Sequence, residues 1–250
     1  MRFSKMLIAS VVSLFALNSQ FAVGWDNTPP IPERHPGWGE GKNQQMIEFE
    51  LFYDLTCSAS AALHPELKTF LDMPFLGRTV RDAIKVNYVF HPLPYHHCSW
   101  IPHKILPYII DKCIASPLNC KLPYYIDFAF NNQNFILTSK DTSFNDLVVA
   151  WTGMVSTAFG WPQPELISLY SWDTDTHNSE MRTRYMWKYA ASQGIAATPS
   201  MSVNGIQLQE PPFDHNSMMQ LLQDVYNSQR AKFPAVYAEI DKKYGTFLTQ

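Results

Sequence analysis

The sequence lacks a second cysteine where a redox pair would need one. Three positions after Cys57 stands Ser60, so Cys57-Ser58-Ala59-Ser60 offers a single sulfur, and any thiol chemistry there runs on one nucleophile. It lacks a basic run as well, which argues against a nucleic-acid-binding surface and a polybasic membrane patch. No Asn-x-Ser/Thr acceptor occurs, so N-glycosylation is not expected. Beyond residue 24 no apolar run reaches the roughly 20 residues of a spanning helix. The last four residues, Phe247-Leu248-Thr249-Gln250, are not an endoplasmic-reticulum retention signal, and there is no internal repeat.

What is present begins with an address. Arg2 and Lys5 precede a mostly apolar stretch from Met6 to Leu17, and the small residues Ala22-Val23-Gly24 offer a cleavage site, so residues 1–24 read as a secretory signal peptide. Its removal leaves 226 of the 250 residues, enough for one sizeable domain or a core with a large insertion. It also takes Lys+Arg from 19 to 17 against 22 Asp+Glu, a net charge near −5. The expected location is outside the cell or in the secretory-pathway lumen, with no membrane span after signal removal. Four cysteines, Cys57, Cys98, Cys113 and Cys120, would then meet an oxidising compartment. Cys113 and Cys120 lie seven apart, roughly 10 Å along an unbroken helix and too far to bridge, but Pro117 interrupts such a helix. A bridge between them and a pair of buried structural thiols both remain open.

Taken in order, residues 25–45 are polar and rich in proline and glycine and read as an extended arm with no core of its own. Met46 to Tyr53 alternates as a strand, with Ile47, Phe49, Leu51 and Tyr53 on one face. Ser58 to Leu71 has helical spacing with Pro65 inside it, which should kink it. Residues 72–79 read as a loop, Lys85 to Phe90 as a second strand, and His91 to Cys98 as a loop shaped by two prolines. Ile101 to Ser116, Thr142 to Phe159 and Asn178 to Gln193 carry helical patterns, with a short helix at Pro164 to Tyr170. Ser143 and Asn178 are expected N-caps and Gly194 a C′ residue. Asn204-Gly205 between two short strands signals a hairpin, a helix follows near Asn216 to Gln229, and 231–250 reads as a helical tail.

That order of strand, Cys turn, proline-containing helix, strand, helical block, helix ending in Gly, Thr-Pro, hairpin and helix resembles the thioredoxin-like fold in its DsbA-like form. The motifs carrying the resemblance are Phe52 to Ser60, Pro65, and Gly194 to Pro199 running into Val203-Asn204-Gly205. The variant it is similar to is secreted, of eukaryotic type and monothiol. It implies an α/β core at 46–98 and 195–230, interrupted by a helical insertion at 99–194, and it implies a cis bond between Thr198 and Pro199. It further implies thiol-disulfide exchange on protein or peptide substrates, with Cys57 and Ser60 catalytic and Thr198 and Pro199 binding substrate. The acid that thioredoxin-like enzymes bury beneath their site would fall at apolar Leu51. Leu51-Phe52-Tyr53-Asp54 also looks like the strand end of kappa-class glutathione transferases, which keeps a glutathione-dependent enzyme in view.

A cysteine at a strand-to-helix turn is a nucleophile candidate, because backbone N–H groups and the helix dipole favour a thiolate. Ser60 cannot resolve a mixed disulfide but could donate a hydrogen bond to the thiolate. Release would need an external thiol such as glutathione, a second substrate cysteine or Cys98; no resident cofactor is expected. His91, His96, His97 and Cys98 match no zinc spacing, so no metal is expected; His96 or His97 could instead stand beside the Cys57 thiolate. A Cys57–Cys98 disulfide would hide the nucleophile. Trp151, Trp161, Trp172 and Trp187 are expected to pack the helical block, with a lining of a peptide groove as the alternative. The alternative is a non-catalytic binding module that keeps the fold with a degenerate site.

Overall fold

In the computed structural model of the protein, residues 34–40 and 47–244 are described. The segment read as a signal peptide lies outside them, as do most of the arm and the last six residues of the tail. The unit described here begins at His35.

The sheet is built on two parallel strands, β2 (Glu48–Tyr53) and β5 (Lys85–Phe90), paired from Glu48 opposite Lys85 to Tyr53 opposite Phe90. Alternation puts Phe49, Leu51 and Tyr53 on one face of β2 and Glu50 and Phe52 on the other, and all five are buried. A strand buried on both faces needs a helical layer on each side. Helix α1 (Ser58–Asp72) covers one face, with Phe70 against Phe49 at 5.7 Å between rings. On the other face lies α8 (Ser179–Ser192), whose Tyr189 stacks on Phe52 at 6.4 Å. The buried Glu50 carboxylate is satisfied there by Tyr189 Oη at 2.9 Å, His35 Nε2 at 2.9 Å and Ser202 Oγ at 3.3 Å.

With the edge strand β1 (Trp38–Glu40), the full sheet order is β1-β5-β2, continued by two further strands, β6 and β7. β6 (Ser200–Val203) runs antiparallel to β2, and β7 (Ile206–Gln207) returns from it. Between β6 and β7, Asn204 and Gly205 both have positive φ, the backbone a two-residue hairpin turn requires. Asn204 Oδ1 also accepts from Glu48 N at 2.9 Å, which fixes the hairpin to the start of β2.

Between β5 and β6 the chain is helical: α3 (Trp100–Lys104), α4 (Leu106–Ala115), α5 (Leu122–Thr138), α6 (Phe144–Phe159), α7 (Gln163–Ser168) and α8. A disulfide joins Cys113 to Cys120 around the short 3₁₀ turn Pro117–Asn119. Ser143 caps α6 by accepting from Asp146 N at 3.2 Å. Gly194, with φ of 76°, closes α8 with Ile195 N bonded to Ala190 O and Gly194 N to Ala191 O, a Schellman arrangement that aims the chain back at the sheet. After β7 come α9 (His215–Lys232) and α10 (Pro234–Tyr244).

Several expectations are corrected. Within the stretch read as an arm, Trp38–Glu40 forms β1, an edge strand antiparallel to β5. Residues 72–79 contain the small hairpin of β3 (Pro74–Phe75) and β4 (Arg78–Thr79), and α2 (Val80–Ala83) follows. Helix α5 lies within the expected helical block but has no helical pattern of its own to single it out: its phenylalanines, tyrosines and asparagines are weak helix formers, and the burial of Tyr125, Ile126 and Ala129 is what holds it. The pattern from 101 to 116 is two helices that part at Ile105. Asn178 is left-handed and caps nothing with its side chain; Asp175 accepts from Ser179 N instead. Of the four tryptophans, Trp151 is fully buried, but Trp172 is 62% exposed and packs no core.

Candidate functional site

Cys57 stands at the N-terminus of α1, in extended backbone, where β2 turns into the helix. Every N–H of the three residues leading into that helix has a partner. Leu55 N donates to His103 Nε2 at 3.2 Å, Thr56 N to Asp54 Oδ1 at 2.8 Å, and Cys57 N to Asp54 O at 3.0 Å. His103 Nδ1 lies 2.7 Å from Ser99 O, so that nitrogen carries the proton and Nε2 is left to accept. Burial pushes the His103 pKa down, which suits this neutral tautomer.

The thiol faces the segment before β6. Cys57 Sγ donates to Thr198 O at 3.1 Å, and the Thr198–Pro199 peptide bond is cis. Four successive carbonyls of that segment are each held by a side chain. Ile195 O is 3.2 Å from His91 Nε2, Ala196 O accepts from Tyr95 Oη at 3.2 Å, Ala197 O from Ser200 Oγ at 2.7 Å, and Thr198 O from Cys57. Cys57 is only 6% exposed, and the hydroxyls of Ser60 and Thr198 are buried with no hydrogen-bond partner. Ser60 therefore makes no bond to Cys57 in this state.

Beside the turn lies a carboxylate whose part the sequence does not reveal. Asp54 is fully buried and accepts from Thr56 Oγ1 (2.7 Å) and Ser99 Oγ (2.7 Å) at Oδ1, and from Leu93 N (2.7 Å) at Oδ2, with His96 Nδ1 also 2.8 Å from Oδ2. Burial alone would raise its pKa; the His96 bond and the bonds from Leu93 N and Ser99 outweigh it and hold Asp54 well below the usual carboxylate range. The Asp-x-Thr pattern is a turn signal, since an Asp side chain bonds backbone two residues on. Its partners at 93, 96 and 99 are set by the tertiary fold.

The remaining expected site residues lie elsewhere. His96 is engaged by Asp54 rather than by the Cys57 thiolate, and the His97 ring is 3.3 Å from Cys98 Sγ. Cys57 and Cys98 are both free, so the bridge between them is not formed. Leu51 is buried and apolar, while the buried carboxylates of this region are Glu50, on the opposite face of β2, and Asp54, past its end. Among the described residues no group of three or more His, Cys, Asp or Glu is arranged to hold a metal ion, and no helix is long and apolar enough to cross a membrane.

No protein-family model matches the chain, and no curated protein matches it. Solved structures do. A protein described as a putative protein-disulfide isomerase from Pseudomonas syringae superposes with a TM-score of 0.53 at 17% identity, over 71% of this chain and 90% of that one. BdbD from Bacillus subtilis gives 0.53 at 12%, over 76% and 92%. DsbA from Chlamydia trachomatis gives 0.51 at 13%, over 80% and 99%. The fold is DsbA-like. At these identities the likeness speaks for the fold alone: a thioredoxin-like sheet with helices inserted between β5 and β6. Within a DsbA-like fold, Cys57 occupies the strand-to-helix turn and faces Thr198.

Proposed function

We propose that this chain is a secreted monothiol member of the DsbA-like fold that exchanges thiols and disulfides on protein or peptide substrates through Cys57. The observation that carries the reading is the single free sulfur at the N-terminus of α1, bonded to Thr198 O. The Cys57 thiolate attacks a substrate disulfide, a Cys57–substrate disulfide forms, and the displaced substrate thiolate takes up a proton. Ser60 cannot break that adduct, so an external thiol, glutathione as co-substrate or a second substrate cysteine, attacks it and returns the Cys57 thiolate. Electrons balance over the cycle, which makes it isomerisation or reversible capture rather than net oxidation. A secretory-pathway location fits residues 1–24 and the Cys113–Cys120 disulfide.

The low exposure of Cys57 favours a second reading, a binding module with a degenerate site. One experiment separates them. Incubated with a disulfide-containing peptide, the protein should yield an adduct at Cys57 that glutathione reverses, and Cys57→Ala should abolish it. Peptide binding that survives Cys57→Ala with no adduct in the parent protein would establish the binding module. A glutathione-dependent transferase reading rests on Leu51 to Asp54 and requires saturable glutathione binding that protects Cys57 from alkylation.

A further inference from the structure

The two oxygens of Asp54 divide their partners: Oδ1 holds the Cys57 turn and the end of the 91–99 loop, Oδ2 the middle of that loop. Oδ1 receives Thr56 N, Thr56 Oγ1 and Ser99 Oγ; Oδ2 receives Leu93 N and faces His96 Nδ1. A carboxylate that only shaped the Cys57 turn would need the Thr56 bonds alone. Ser99 at Oδ1 and Leu93 and His96 at Oδ2 instead anchor the 91–99 loop, and that loop holds Ile195 O through His91 and Ala196 O through Tyr95. At the end of the same segment, Thr198 O receives the Cys57 thiol. The bonds therefore form a closed ring: Cys57 turn, Asp54, 91–99 loop, 195–198 segment, and back to Cys57.

We propose that Asp54 is a positioning residue that sets the separation of the Cys57 thiol from the Thr198–Pro199 segment, acting through the 91–99 loop. The proposal rests on the reading of Cys57 as the working thiol. The S–H to Thr198 O bond ties the sulfur to that carbonyl, so the thiol is engaged until the bond breaks. Releasing the loop loosens the 195–198 segment, removes that acceptor and frees the sulfur. Asp54 thus keeps the site closed until a substrate strand competes for the backbone beside Pro199.

Asp54→Asn separates the two sides of the carboxylate. The amide oxygen can keep Thr56 and Ser99, whereas the amide nitrogen, a donor, would meet the Leu93 N–H, which loses its acceptor. The full chain carrying Cys98→Ala is alkylated with iodoacetamide across pH 5 to 10, and Cys57 modification is followed by mass spectrometry. In D54N the expected result is a rate-against-pH profile that is raised, at least about threefold at pH 7, and a raised KM for a disulfide peptide with a smaller change in kcat. Tyr95→Phe, at a side chain 64% exposed and safe for folding, should move the profile in the same direction by a smaller amount. Thr56→Val, which removes only a turn-side bond, should leave it unmoved. A D54N protein that melts earlier but keeps the parent profile, a Tyr95→Phe profile that does not move, or a Thr56→Val shift equal to that of D54N each overturns the proposal. Alkylation needs no exchange activity, so failure of the exchange reading shows separately, as an alkylated Cys57 that never forms a mixed disulfide.

Discussion

Acidification should weaken this fold through His64, and the size of the effect follows from where that ring sits. His64 is on α1, two turns beyond Cys57, with its side chain 7% exposed. It lies between the rings of Tyr53 (5.8 Å) and Phe130 (5.2 Å). Its Nε2 is 3.2 Å from Asp127 Oδ1, too poorly aligned to count as a hydrogen bond, and Nδ1 has no partner. Burial pushes the pKa down; Asp127 opposes this, Lys68 and Arg81 reinforce it, and the result is about 4. In the unfolded chain the value is about 6.5. The unfolded state therefore binds a proton first, so stability is full above about pH 6.5 and is lost as pH falls towards 4. Between pH 7 and pH 4.5 that gap corresponds to roughly 2–3 kcal/mol. Asp54, held far below the usual carboxylate range, keeps its charge across this window. Urea unfolding of the parent and of His64→Phe at both pH values isolates the effect, since every other residue is the same in the two proteins. The parent should lose about 2 kcal/mol more than the variant on acidification; equal losses would refute the reasoning.

Other expectations concern the frame around the site. At Gly37, just before β1, an added Cβ would come within 2.1 Å of Tyr88 O, a backbone atom that cannot yield, so Gly37→Ala should lift the edge strand and cost about 1–3 kcal/mol in urea unfolding. Removing the Cys113–Cys120 bridge by double substitution to alanine reopens a loop of sequence separation 7. By the chain-entropy relation this should cost about 2–3 kcal/mol while leaving the rate of Cys57 alkylation unchanged.

How far the sequence reveals this molecule varies with the range of the forces involved. The strands at 48–53 and 85–90, the Asn204-Gly205 turn and the Gly194 stop are legible because each rests on local chemistry: alternation, turn residues with positive φ, and a helix end needing glycine. The β3–β4 hairpin escapes because its turn places Leu76 at a φ of 51°, where glycine or asparagine is the usual signal. β1 escapes because three residues amid prolines carry no period and gain their strand character from β5. At the site, Cys57 and Thr198 are legible as motif residues. Asp54 is not, because its role depends on Leu93, His96 and Ser99, which lie about forty residues away and which only the sheet brings near.

Cys57 as the reactive sulfur is the central claim. The direct measurement is a timed map of thiol modification on the native protein at pH 7, comparing Cys57 with Cys98, the other free cysteine among the described residues. In the presence of oxidised glutathione, Cys57 should acquire the glutathionyl group first and Cys98, whose pKa burial raises, should lag behind it. Modification of Cys98 with Cys57 left untouched would contradict the account.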